Sequence, residues 1–230
     1  MIKGALHPLT QIIRVSVSAL GDLGFDIAEA PEIDTPWYNF DGLRMHDLHP
    51  AREDQASYWL EDGRLLRTQT TNVQIHVAEQ KKPPLRVMAF GPCYRNDATD
   101  YKHDVTFTQI DAVAIDEGIT MANLLATLDT FIQRVIGPET QYRFRPHNFP
   151  FTEPSIEVDV LHNGKWIELL GAGMVHPEVL KNMRIDPTVY SGFAFGIGLD
   201  RIALMKWGVE DIRLLHANKL NFLRQFREAA

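Results

Sequence analysis

The order of its extended segments constrains this chain most. Runs rich in β-branched, aromatic and aliphatic residues occupy positions 65–68, 86–94, 107–115, 155–161, 166–174 and 192–196. The runs do not alternate regularly with crossover helices, and two pairs, 86–94 with 107–115 and 155–161 with 166–174, are joined without any helical pattern. Parallel neighbours need such crossovers, so the order predicts a largely antiparallel sheet with helices packed on it. Helical patterns lie at 9–23, 71–80, 120–136, 177–183, 199–207 and 218–227. The class expected is α+β, not doubly wound. Residues 25–28, running toward Pro31, read as an extended edge element, and Asp62-Gly63 as the turn of a hairpin over 58–66. Pro146, Pro150 and Pro154 fall within nine residues and predict an irregular, extended path over 143–154. With no linker, repeat or low-complexity tract, residues 1–230 read as one domain.

Composition removes several function classes. Lys+Arg 23 against Asp+Glu 30 leaves a formal charge of −7, which argues against an autonomous grip on nucleic acid. No apolar run approaches the roughly 20 residues of a membrane-spanning helix, and the first residues lack the apolar stretch of a secretory signal. Cys93 is the only cysteine, so no intrachain disulfide forms. A cytoplasmic location without membrane attachment is expected. No G-x-x-x-x-G-K-[ST] loop or G-x-G-x-x-G turn occurs, and His46 and His49 lack zinc-ligand company.

Three segments hold residues suited to chemistry. In the first, Arg95 ends one strand and Gln109 and Asp111 lie two apart on the returning one, hence on one sheet face. An arginine there suits a phosphate, and an acid suits an ammonium. In the second, Phe149 and Phe151 among the prolines can present rings to one side, beside a flat apolar ligand. In the third, Gly192 to Arg201 is a small-residue strand running into a helix start, where Arg201 and the helix terminus favour an anion. Glu153 and Glu168 precede that turn and offer the oxygen ligands that Mg2+ prefers.

Together these segments are far more specific than singly. The stretch from Gly24 to Pro31 resembles motif 1 of class II aminoacyl-tRNA synthetases, Tyr94-Arg95-Asn96-Asp97 before Phe107 resembles motif 2, and Gly196-Ile197-Gly198-Leu199-Asp200-Arg201 resembles motif 3. The strings Tyr38-Asn39-Phe40-Asp41-Gly42-Leu43, His49-Pro50-Ala51-Arg52, Leu65-Leu66-Arg67-Thr68, Phe149-Pro150-Phe151-Thr152-Glu153-Pro154-Ser155 and Gly173-Met174-Val175-His176-Pro177 resemble the bacterial phenylalanyl-tRNA synthetase alpha subunit. So does Tyr190-Ser191-Gly192-Phe193-Ala194-Phe195-Gly196, and the likeness runs from about His7 to Phe226.

The resemblance implies the class II catalytic fold and a two-step reaction. Phenylalanine is activated by ATP as an adenylate, and tRNA(Phe) then takes the acyl group. Carried over by position, Arg95 would meet the α-phosphate, Arg201 the terminal phosphate, and His103 the ATP tail. Phe107 would stack on adenine, and Glu153 and Glu168 would serve Mg2+ and ATP. Phe149 and Phe151 would flank the substrate ring, with Ala194 at the pocket floor beside Gly196. Gln69, Thr71, Gln74, Gln109 and Asp111 would orient the ammonium and carboxylate.

The departures from the family pattern are Gln69-Thr70-Thr71 for His-Thr-Ser, Phe107-Thr108-Gln109-Ile110-Asp111 for Phe-His-Gln-x-Glu, and Asp200 for a glutamate. Several fall at the end of the pocket expected to take the amino group. The core starts almost at Met1, without the coiled-coil arm that grips tRNA in the family. A beta-type subunit or a second copy is therefore the expected partner, holding most of the tRNA. Two other roles fit the residues: an adenylate-forming paralogue serving a different acceptor, and a non-catalytic subunit that keeps the fold.

Overall fold

In the computed structural model, which describes residues 5–53, 56–96, 98–101 and 104–226, one seven-stranded sheet organises the chain. Its strands are β1 (Asp26–Ile27), β4 (Leu85–Tyr94), β5 (Thr106–Glu117), β6 (Tyr142–His147), β7 (Thr152–His162), β8 (Lys165–Val175) and β9 (Tyr190–Gly198). Their spatial order is β1-β4-β5-β9-β8-β7-β6, antiparallel throughout except where β1 meets β4. A two-stranded ribbon joins β2 (Ile33–Asp34) to β3 (Leu65–Leu66).

Period-two alternation divides β5 and β9 between two cores. Ile110, Ala112 and Ala114, with Phe193, Phe195 and Ile197, face α1 (Pro8–Gly21), α4 (Met121–Val135) and α6 (Leu199–Trp207). Two of these helices carry clear local start signals. Pro8 suits the first position of α1, and the His7 ring accepts the Leu9 N–H. Asn123 reaches back to the Thr120 N–H at 2.8 Å to cap α4, whose Leu124, Leu128, Phe131, Ile132 and Val135 are buried at helical spacing. Burying such a side chain is worth about 1.5–3 kcal/mol, so this face supplies a large part of the stability.

Val113, Ile115 and Ala194 point the other way. There they meet α3 (Val73–Gln80), α5 (Pro177–Asn182) and the segment holding Phe40 and Leu43. This second cover is partial, and the site opens where it ends. Short helices α2 (Pro36–Asn39), α7 (Arg213–His216) and α8 (Leu220–Leu223) complete the architecture.

Several expectations need correction. The region over 143–154 is not irregular throughout, because Tyr142–His147 forms the sheet's last strand with Pro146 opposite Ile156. An outer strand tolerates a residue without an N–H, and this one has a neighbour on one side only. The hairpin over 58–66 does form, as a tight turn and not as two long strands: Trp59 bridges Leu65, the Leu60 N–H donates to the Arg64 carbonyl at 2.8 Å and the Leu66 N–H to the Tyr58 carbonyl at 2.9 Å, with Gly63 at positive φ. Residues 65–68 form a strand only over Leu65–Leu66. The final helical pattern breaks into α8 and a 3-10 turn at Arg224–Phe226. Among the described residues no helix is long and apolar enough to cross a membrane.

Candidate active site

On the partly covered face, two hollows adjoin. The larger, about 800 Å3, is lined by Arg95, Phe107, Glu168, Asp200 and Arg201 among others. The smaller, about 540 Å3, is lined by Gln69, Thr71, Gln74, Asp111, Phe149, Phe151 and Ala194. Arg95, Gln109, Glu168, Gly171 and Gly196 line both and form the seam between them.

The smaller hollow is built around a buried acid. Asp111 accepts hydrogen bonds from the hydroxyls of Thr70 and, at 2.6 Å, Thr71. Both threonines come from the 3-10 turn Thr70–Asn72 that leads into α3. Burial pushes the Asp111 carboxyl up to about 6, opposed by the two hydroxyls and by the Arg95 and Arg67 charges. Gln109 stands two residues away on the same face, its Oε1 buried without a hydrogen-bond partner. An acceptor in that state is suited to a donor brought by a ligand. Gly196, opposite Asp111 on β9, must lack a side chain, since a Cβ there would lie 2.5 Å from Asp111 Oδ1.

At the apolar end, Phe149 and Phe151 stack nearly parallel, with centroids 5.7 Å apart. That spacing leaves no room for a ring between them, so they form one aromatic wall instead of two jaws. Gly171 makes space for the wall, because a Cβ there would sit 2.6 Å from the Phe149 ring. Gln74 is buried in the lining, and the Gln69 amide donates to the Asn39 carbonyl at 3.3 Å.

The larger hollow sets two arginines, Arg95 and Arg201, among the carboxylates of Asp104, Glu168, Asp200 and Glu210. The Arg95 guanidinium lies 4.8 Å from the Phe107 ring centroid, and its Nε donates to the Thr68 carbonyl at 3.2 Å. A flat base slipping against this pair gains stacking and cation–π attraction together. Arg201 donates to the Glu168 carbonyl at 2.7 Å, and its nearest approach to the Glu168 carboxylate is 3.8 Å. Both side chains are substantially exposed, so the ion pair between them is weak and readily exchanged for a phosphate.

Thus the fold brings Arg95, Phe107, Glu168, Arg201, Gln69, Thr71, Gln74, Gln109, Asp111, Phe149, Phe151, Ala194 and Gly196 around the paired hollows. Glu153 stands apart from them. Its carboxylate is exposed, pairs with His176 Nε2 at 3.1 Å and lines neither hollow. His103 lies outside the described residues. Among the described residues no group of three or more His, Cys, Asp or Glu side chains could hold a metal ion.

Sequence reasoning missed Thr70, Asn39 and Arg67. Thr70 shares Asp111 with its named neighbour Thr71, and Asn39 is buried against Thr68. Arg67, also buried, donates to the Pro92 and Ala30 carbonyls. The strings containing Asn39 and Arg67 carried the family resemblance, so the signal was present without a role attached.

The family described as tRNA synthetases class II core domain (F) matches residues 1–226. The phenylalanine–tRNA ligase alpha subunit of Alkaliphilus oremlandii is 47% identical over 235 residues, covering 97% of this chain and 69% of that protein. Its counterpart from Klebsiella pneumoniae is 49% identical over 226 residues, covering 98% and 69%. Among solved structures, pyrrolysyl-tRNA synthetase from Desulfitobacterium hafniense superposes with a TM-score of 0.72 at 18% identity, covering 95% of this chain and 76% of that one. That distant likeness speaks for the fold alone. A matched catalytic core and near-half identity across more than two thirds of the relatives lead to one conclusion: the chain belongs to the class II tRNA synthetase family, among the phenylalanine–tRNA ligase alpha subunits.

Proposed function

We propose that the chain activates phenylalanine with ATP and passes the acyl group to tRNA(Phe), as the catalytic alpha-type subunit of a ligase. The observation that carries this reading is the seam, where an apolar pocket ending in an acid opens at Arg95, Gln109 and Glu168 into a hollow that presents two arginines, Arg95 and Arg201.

Phenylalanine fits the smaller hollow with its ring against the Phe149–Phe151 wall and Ala194, and its ammonium toward Asp111 and Gln109. That orientation sends the substrate carboxylate to the seam. ATP fits the larger hollow with its base against Phe107 and Arg95 and its phosphates between Arg95 and Arg201. A carboxylate oxygen then attacks the α-phosphorus while the bond to pyrophosphate breaks. Arg95 neutralises charge gathering on the α-phosphate oxygens, and Arg201 steadies the leaving pyrophosphate. Positioning and electrostatics carry such a step, and no protein group need form a covalent bond.

Mg2+ fits this arrangement in a limited sense. Glu168 at the seam and Asp104 on the larger hollow offer carboxylate oxygens, and phosphate oxygens and water complete the set that Mg2+ prefers. When bound, the ion would screen phosphate charge. A beta-type subunit or a second copy as partner, tRNA held mainly by that partner, and a cytoplasmic location belong to the same proposal.

ATP–pyrophosphate exchange over a panel of aromatic amino acids, with and without a beta subunit, tests it. Phenylalanine-dependent exchange followed by charging of tRNA(Phe) is expected. Exchange without charging would move the chain to another acceptor, and absence of both exchange and ATP binding would remove the catalytic reading.

A further inference from the structure

Asp200, in the first turn of α6, is buried, yet it touches two other elements. One carboxylate oxygen accepts the backbone N–H of Thr108 on β5 at 2.5 Å. The other meets Nε2 of His216 on α7 at 2.6 Å. A carboxylate removed from water is costly unless both oxygens are satisfied, and these two contacts satisfy them. The Asp200 hydrogen bond holds the His216 imidazolium above its ordinary range against the effect of partial burial, and Asp104 adds to the pull.

What adjoins each joined position matters more than the bond itself. Arg201 follows Asp200, while Phe107 precedes Thr108 and Gln109 follows it; all three line the larger hollow. The segment carrying His216 is tied down separately. The Ile212 N–H donates to the Tyr101 carbonyl at 3.0 Å, and His7 Nε2 lies 2.9 Å from the Leu215 carbonyl. His216 itself does not line the hollow, and its side chain meets the lining at Asp200.

We propose that His216 is a positioning residue for the nucleotide: through Asp200 it locks the start of α6 to β5 and so sets the distance between Arg201 and the Phe107 ring. This rests on the reading of the larger hollow as the ATP site. Without the imidazole donor, one oxygen of a buried carboxylate loses its partner, and Asp200 relaxes toward another donor. The helix start that it anchors moves with it. Of the groups proposed to hold phenylalanine, only Gln109 adjoins Thr108; Asp111, Thr70, Thr71 and the phenylalanine wall touch neither Asp200 nor His216, so the smaller hollow changes far less.

The test uses the assembled enzyme, with ATP and phenylalanine varied separately in pyrophosphate exchange. His216→Ala is expected to raise the KM for ATP about tenfold and that for phenylalanine by less than about twofold. His216→Gln keeps an N–H donor and is expected to recover most of the ATP affinity. Where the alanine variant fails to fold, His216→Leu supplies the donor-free comparison. Equal rises in both KM values, or a donor-free variant with unchanged ATP KM, would overturn the proposal. A wild-type enzyme without ATP-dependent exchange would overturn the reading of the hollow itself.

Discussion

The two hollows differ in how their polar groups are held before any ligand arrives. In the smaller one Asp111 is buried, bonded to two threonine hydroxyls and closed in by a glycine that leaves no slack. In the larger one Arg201 and Glu168 are half-exposed, weakly paired and open to water. The first site is shaped in advance, which favours discrimination among substrates. The second holds exchangeable charges over a stacking platform, which suits a ligand carrying its own strong charge and the same base every time.

Arg95 lies on both sides of that contrast, so its loss should be the most damaging. Arg95→Ala is expected to lower exchange about 10³-fold, with near-native folding by circular dichroism. Retained exchange would refute the phosphate role. Asp111→Asn keeps the shape but not the charge, and should cost about 10²-fold in kcat/KM for phenylalanine. ATP KM should stay put, and an effect on ATP instead would break the contrast. The wild-type pH profile sharpens the same point. With a carboxyl near 6 before substrate binds, protonation removes the charge as pH falls through that value, so phenylalanine KM should rise on the acid side. In Asp111→Asn that rise should vanish.

Arg201→Ala, on the exposed side, should raise ATP KM by only about tenfold, because water and neighbouring groups partly replace it. A loss as large as that of Arg95 would show the larger hollow to be as tightly organised as the smaller. The smallest effect is expected of Ala194→Gly. Removing one methyl from the lining should shift selectivity toward para-substituted phenylalanines by about tenfold. Unchanged discrimination would place the ring elsewhere.

Much of the framework was legible in the sequence because strand and helix periods are local. The runs at 86–94, 107–115 and 166–174 became β4, β5 and β8 with small changes at their ends. Tyr142–His147 was not legible, because Pro146 argues against a strand unless that strand is known to be outermost. Single residues of the site stood out less by pattern than by family resemblance, and each alone also fits an ordinary surface pair or core aromatic. Contacts joining distant positions were invisible. Nothing in the chain announces that Thr70 will share Asp111, 41 residues away, or that His216 will reach Asp200. In the sequence Asp200 is only an aspartate where the family pattern has a glutamate. Folded, that carboxylate is shared between a strand amide and an imidazole.

The outermost strand has a consequence for behaviour in concentrated solution. An exposed strand edge invites other chains to add to it and seeds aggregates. At β6 an arriving strand meets Pro146, which has no amide hydrogen, and the arginines Arg143 and Arg145, both paired with Asp159. Charge and a missing donor at the rim make that edge a poor template for fibrils.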